Sequence, residues 1–289
     1  MPFVAVVLAL GVCTLFGGNQ VASKVALREF TPLFCGALAF TLSGIALWVY
    51  ALVRSKSWQP PSLTVWRLHS ISAVLFVLFN ATALIGLQFT LASRASIFIA
   101  IHPFFVVIFN SLGPQKERIN VGKFLGLCLT FAGVVIVFSE RLREQVGVSW
   151  IGDSLILLAA ALLGLLILHI RKVTRYVTST QATLWQMGLS VPIFWLAAWM
   201  FEPPLTIPQL SESWLGIVYM GLAVNAIAFV VRAELFRRYS ANTVSAFLFT
   251  SPVIGLVLSH WLLGDPLNWA VGLGGALVSL GVSIVYRFT

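Results

Sequence analysis

The chain contains itself twice. Residues 117 to 138, ERINVGKFLGLCLTFAGVVIVF, and residues 265 to 286, DPLNWAVGLGGALVSLGVSIVY, follow one pattern about 148 residues apart. In each, an acid (Glu117, Asp265) stands three residues before an Asn (Asn120, Asn268). A glycine pair seven apart then follows, Gly126 and Gly133 in the first copy and Gly274 and Gly281 in the second. Pro103 in FIAIHPFF answers Pro252 in LFTSPVIG, and Lys24 answers Arg171. A duplicated chain must build one unit twice and then fit the two copies to each other.

Both copies are almost wholly apolar. Hydrophobic residues make up 59% of the 289 and charged ones 9%, against roughly 25% charged in soluble domains. A water-soluble fold of this size could not keep that much apolar surface from solvent. Runs of about twenty apolar residues, each able to cross about 30 Å of hydrocarbon as a helix, are marked off by charges and turn residues. The chain therefore reads as an all-α polytopic membrane protein with ten transmembrane helices: 3–22, 33–53, 68–89, 95–113, 121–139, 151–170, 181–201, 214–233, 241–263 and 269–286. Ten spans in two copies gives five per copy, and five is odd. The copies must then run in opposite senses, as two inverted five-helix repeats, residues 1–144 and 145–289, within one structural unit. Halves so related can close one side of the membrane while opening the other, which predicts alternating access at a site near the midplane.

The net charge of +9 could suggest nucleic acid, but its distribution points to lipid. With the amino terminus in the cytoplasm, thirteen of the eighteen basic residues fall at cytoplasmic ends; Lys24, Arg28, Arg94, Arg141 and Arg143 are the other five. That asymmetry is an orientation signal and predicts both termini in the cytoplasm, with membrane lipid as a partner and no nucleic acid. The first span lacks the basic n-region of a cleaved signal peptide. Cys13, Cys35 and Cys128 lie in apolar spans and are odd in number, so they read as small buried hydrophobes and not as a disulfide or metal framework. No cofactor or metal set is expected. Gly122 with Gly126, and Gly272 with Ala276, are small-xxx-small pairs. They fit helix packing within one subunit better than a dimer seam, and leave a monomer or homodimer open.

These residues resemble the drug/metabolite transporter superfamily, in its ten-span EamA-type branch, over nearly the whole chain. FGGNQVASKVA is similar to the family's Trp-Gly pattern followed by Lys, with Phe16 in place of the tryptophan. HPFFVVIFNSLGPQKERINVGKFLGLCLTFAGVVIVF matches its Pro, Gly-Glu, then Gly and Ala-Gly-Val pattern, with Lys116 where Gly is usual. SPVIGLVLSHWLLGDPLNWAVGLGGALVSLGVSIVY repeats it, with Asp265 for Glu. The resemblance implies a carrier of small organic metabolites, often an exporter of amino acids or related compounds, in a bacterial-type inner membrane. It also implies a central cavity lined by the first, third, fourth, sixth, eighth and ninth spans.

A polar group in hydrocarbon must find a partner, so each one is either structural or part of a solute path. Asn19 and Gln20 stand beside Gly17 and Gly18 in the first span, where the backbone can be approached closely. Asn80 lies midway along the third span, His102 in the fourth, Gln186 in the seventh and Asn225 in the eighth. Amides and a neutral imidazole both donate and accept, which suits a zwitterionic or uncharged polar solute. With the implied cavity, Asn19, Asn80, His102 and Asn225 are the preferred substrate ligands, and Gln20 and Gln186 complete the set. Interhelical hydrogen bonding is the other reading of each. Pro103 permits a kink, and His102 before it is either a ligand or gate, or a ring bonded to the carbonyl that the proline frees. Pro252 is the symmetric kink; Gly17 and Gly18 join the two prolines as expected gating positions. Asp153 opens the sixth span and reads as a helix cap. Arg232 and Glu234, two apart, point to different faces and should not pair.

Four other readings compete. A proton-coupled multidrug carrier usually needs a carboxylate buried mid-span, and Glu117, Asp153, Glu234 and Asp265 all lie toward span ends. A phosphorylated-sugar carrier would need mid-membrane Lys or Arg. An intramembrane enzyme would need a clustered nucleophile and base or metal ligands, whereas His69, His102, His169 and His260 are scattered. A non-transporting sensor or assembly subunit is the remaining alternative.

Overall fold

The computed structural model describes residues 3–53, 62–112, 121–139, 150–238 and 250–288. The regular structure of these residues is all helical, with no strand among them. The elements are α1 (Phe3–Ala26), α2 (Pro32–Val53), α3 (Leu63–Gln88), α4 (Ala92–Ile99), α5 (His102–Leu112), α6 (Val121–Ser139), α7 (Trp150–Val173), α8 (Ser179–Phe201), α9 (Ser211–Val218), a π-helical stretch (Tyr219–Ala228), α10 (Phe229–Arg238), α11 (Thr250–Leu263) and α12 (Trp269–Arg287). Seven segments are long and apolar enough to cross a membrane; three shorter apolar helices, Val121–Val137, Thr250–Leu263 and Trp269–Ile284, lie in α6, α11 and α12. This is the architecture of a polytopic membrane protein. The fourth segment is broken between α4 and α5 at Ala100 and Ile101, just before Pro103, whose ring and missing N–H cannot continue the helix. The third begins at Leu63, five residues earlier than its apolar run suggested, because Ser62 caps it by accepting from the Val65 amide.

Helices in hydrocarbon gain little from excluding water, so close packing must hold them together. The repeated glycines supply it. A Cβ on Gly133 would stand 2.6 Å from the Gly274 carbonyl oxygen, and one on Gly281 would stand 2.5 Å from that of Gly126. Backbone therefore touches backbone along the seam of α6 and α12, and the repeat glycines meet crosswise: Gly133, the second of its pair, meets Gly274, the first of the other, and Gly126 meets Gly281. The first members of the small-xxx-small pairs behave differently: Gly122 meets the Phe288 ring and Gly272 faces open space. A second glycine correspondence joins the copies. Gly17 of α1 lies against the Ser251 carbonyl of α11, and Gly164 of α7 lies against the His102 carbonyl of α5.

The remaining packing pairs α3 with α7, α1 with α9 and the π stretch, α2 with α8, α3 with α8, α2 with the π stretch, and α4 with α11. Cys13 and Cys35 are buried, but Cys128 is exposed on α6. The expectation of three buried cysteines fails there because α6 presents only one side to α12, and an all-apolar helix carries no sequence mark of which side that is.

Candidate functional site

Each expected ligand takes its position from local backbone chemistry. His102 stands at the break between α4 and α5. Its Nδ1 lies 3.0 Å from the Ile99 carbonyl oxygen, the group four residues before Pro103 that the proline cannot reach. Arg232 of α10 holds its guanidinium over the rings of Phe16 (5.3 Å) and Phe229 (4.4 Å). Glu234 bonds instead to Arg238, one turn on.

Asn225 lies in the π-helical stretch, and its Nδ2 donates to the Met220 carbonyl at 2.7 Å, five residues back. Its amide thus fills the widened turn, a feature that often marks functional segments. Asn80 makes the corresponding bond in an ordinary helix, donating from Nδ2 to Phe76 O at 2.9 Å. Asn19 differs: its Oδ1 is buried and, among the described residues, accepts from nothing. A bare acceptor inside the bundle costs about 1–3 kcal/mol. Gln20 is half-buried on α1, and Gln186 is buried on α8, which packs on α2 and α3. No hydrogen bond joins any two of these six side chains.

The glycines beside Asn19 are approached by protein. Gly17 receives α11, and Gly18 lies under the Tyr219 hydroxyl, which donates to the Leu15 carbonyl at 3.1 Å. Pro103 is buried, while Pro252 is half-buried in the first turn of α11, whose preceding residues lie outside those described.

The residues that sequence reasoning missed gather at one end of the bundle, where α1 and α3 finish and α4 and α7 begin. Asp153 is more than a cap. It is wholly buried, accepts from Arg94 Nη2 at 2.5 Å and Nε at 3.2 Å, and takes the Thr90 hydroxyl on its other oxygen at 2.5 Å. Lys24 reaches the Leu87 carbonyl at 2.6 Å and the Thr90 carbonyl at 2.8 Å, holding the end of α3. Asp265 accepts from the Ser93 amide at 2.9 Å and so caps α4 from the α11–α12 connection. Asn268 caps its own helix, accepting from the Val271 amide at 3.1 Å. The acid and the Asn of the second repeat motif thus have separate tasks; Glu117 and Asn120 of the first copy lie outside the described residues.

Two glutamates interlock beside them. Glu202 accepts from Thr31 Oγ1 (2.6 Å) and the amides of Leu33 (2.8 Å) and Phe34 (2.9 Å), capping α2. Glu29 accepts from the amides of Gln209 (3.1 Å) and Leu210 (2.9 Å) ahead of α9. Desolvation alone would raise the Glu29 pKa, but the Leu210 and Gln209 amides that donate to it hold it below the usual carboxylate range. Of the six described carboxylates, Glu29, Asp153, Glu202, Glu212 and Asp265 all bond between the part of the chain before residue 140 and the part after residue 149, and all do so at this end.

The EamA-like transporter family matches this chain twice, over residues 3–139 and again over 150–287. An uncharacterized transporter of Bacillus subtilis, YvbV, is 26% identical across 94% of this chain and 88% of its own length. A probable amino-acid metabolite efflux pump of Escherichia coli is 24% identical, covering 96% of this chain and 93% of that protein. A solved crystal structure with 19% identity superposes with a TM-score of 0.69, covering 98% of this chain and 96% of the other, and shares its fold. The doubled match, the relatives named as transporters and the apolar helical bundle together make this an integral membrane protein that belongs to the EamA-like transporter family, within the drug/metabolite transporter superfamily.

Proposed function

We propose that the chain is a secondary carrier built of two inverted five-helix halves, residues 1–144 and 145–289, which exports small polar organic metabolites, amino acids or similar solutes, by alternating access. The observation that carries this reading is the doubled family match, one for each half. The packing supports it. Shifting each helix to its counterpart in the other copy turns the α3–α7 contact into that of α1 with α9 and the π stretch, and the α1–α11 contact into that of α7 with α5. The amino-acid class rests on the Escherichia coli relative's name and on the donor-acceptor chemistry of the amides.

In this reading Asn19, Asn80, His102 and Asn225 line the path, with Gln20 and Gln186 flanking it. Asn19 takes the central role, because a solute N–H would satisfy the buried Oδ1 that none of the described residues satisfies. Both termini lie in the cytoplasm and the membrane is a bacterial-type inner membrane. The proton-coupled multidrug reading loses ground, since Asp153 is already held by Arg94 and Thr90.

Uptake of radiolabelled amino acids, nucleosides and sugars into liposomes holding the purified protein tests the reading. Saturable flux of one class, lost in an Asn19→Ala, Asn80→Ala variant that stays folded, is expected. Saturable flux untouched by that variant would remove the proposed site, and absence of flux for every solute would favour a non-transporting subunit.

A further inference from the structure

We propose that α4 is the moving gate of this carrier, hinged at Ala100–Ile101 and latched by the Arg94–Asp153 ion pair together with the Asp265 cap on Ser93. The proposal rests on the alternating-access reading above.

The latch is an expensive kind of bond. Arg94 is 4% exposed and Asp153 0%, and two buried charges must recover the cost of leaving water through their own attraction and hydrogen bonds. Apolar side chains of equal volume often hold a static contact as well or better. An ion pair has a different merit: when water enters, both partners rehydrate, so the contact can open and re-form. Here the pair spans the two halves, Arg94 from the first and Asp153 from the second.

Its neighbours complete the device. Ser93, one residue before Arg94, donates its amide to Asp265 of the second half. Lys24 of α1 grips the carbonyls of Leu87 and Thr90, so the Thr90 hydroxyl that bonds Asp153 is itself fixed. Both latch points on α4 lie in its first turn. At the other end of this eight-residue helix, Pro103 supplies no N–H to Ile99, and the His102 ring takes that carbonyl instead. The α-helical ladder is therefore interrupted at the α4–α5 junction, where Ile101 and Phe104 bond only three residues back, to Phe98 and Ile101, at the place where a hinge would have to be. Gly255 of α11 and Gly164 of α7 give α4 and α5 close, smooth tracks: a Cβ on Gly255 would lie 2.7 Å from Ser96 Oγ, and one on Gly164 would lie 3.0 Å from Phe105 Cβ. With five interhalf carboxylates at this end, the structure is the state closed here, at the outer side under the charge-derived orientation.

The experiment places a single reporter, Ser93→Cys, in a chain with Cys13, Cys35 and Cys128 replaced by alanine, reconstituted in liposomes and treated with a membrane-impermeant maleimide. Ser93 is 0% exposed, so labelling of the latched parent is slow. Arg94→Gln combined with Asp153→Asn removes both charges, leaves no unpaired buried ion, and should speed labelling by about tenfold through a shift toward the open state. Adding Pro103→Ala restores the main-chain bond to Ile99 and should return labelling most of the way to the parent rate. Labelling within about twofold of the parent in the folded neutral variant overturns the latch; no effect of Pro103→Ala overturns the hinge. Flux of a labelled amino acid mixture is measured on the parent in parallel. Flux with latch-independent labelling removes this proposal alone, whereas latch-dependent labelling with no flux removes the transport reading and keeps the latch.

Discussion

Gly281→Ala should loosen the seam between α6 and α12. The new Cβ would stand 2.5 Å from both the Gly126 carbonyl oxygen and the Thr130 amide nitrogen, with Thr130 Oγ1 closer still. Ordinary contact begins at 3.4 Å, so the two backbones must part by about 1 Å, a gap that forfeits roughly a quarter to a half of the dispersion well of each atom pair it opens. In hydrocarbon, where packing itself holds helices together, nothing offsets that loss. The cost is about 1–3 kcal/mol, the range of an overpacked core site. Gly133→Ala should behave alike, since its Cβ would meet the Gly274 oxygen at 2.6 Å and the Val278 nitrogen at 2.9 Å. Gly272→Ala is the control, because nothing lies within 4 Å of its Cβ; helix propensity alone favours alanine there by up to about 1 kcal/mol. The assay is the thermal midpoint of each variant in detergent, read as the monodisperse fraction surviving a heat step. Lower midpoints for Gly281→Ala and Gly133→Ala, with Gly272→Ala unchanged or raised, are expected. Equal midpoints for all three would refute backbone contact as the basis of the seam.

Three further outcomes follow from the same geometry. Glu202→Ala strips the Thr31, Leu33 and Phe34 bonds from the start of α2 and should cost about 1–2 kcal/mol in detergent unfolding, the range of a lost N-cap; an unchanged midpoint would show that water replaces the carboxylate without loss. Glu29 has a lowered pKa, so its stabilisation is full above the ordinary carboxylate value of about 4.3 and is lost as pH falls through its lower folded value. A Glu29→Gln variant should be less sensitive than the parent to acid below that point, and identical acid unfolding curves would contradict the assignment. Asn19→Leu removes a buried bare acceptor and should raise the unfolding midpoint, by about 1 kcal/mol of stability, while abolishing flux in liposomes; retained flux would take Asn19 out of the solute path.

The sequence reading succeeded where chemistry is local or periodic. The glycines seven apart in each copy turned out to be the points where α6 and α12 touch, and the proline after His102 marked both a helix break and the carbonyl that the imidazole takes. It failed where the partner is remote. Arg94 and Asp153 are 59 positions apart; taken singly, each charge sits at a span end, where snorkelling or capping is the ordinary expectation. Glu29 and Glu202 are likewise reciprocal caps joined only by the fold. The outward direction of Cys128 was hidden for another reason: a helix that is apolar all round does not record which face meets protein and which meets lipid. Nor did the apolar run 219–228 announce its π-helical winding, which becomes visible only through the Asn225 bond to Met220.

The central claim is alternation between two sealed states, and solute counterflow tests it most directly. Liposomes holding the protein are preloaded with an unlabelled amino acid, diluted into trace labelled amino acid without ion or pH gradients, and sampled over time. The account predicts transient accumulation of label above its equilibrium level, driven by exchange at one site that faces each side in turn, and loss of that overshoot in the Asn19→Leu variant. Simple equilibration without an overshoot, in protein that does conduct the solute, would mean a path open to both sides at once and would contradict the account.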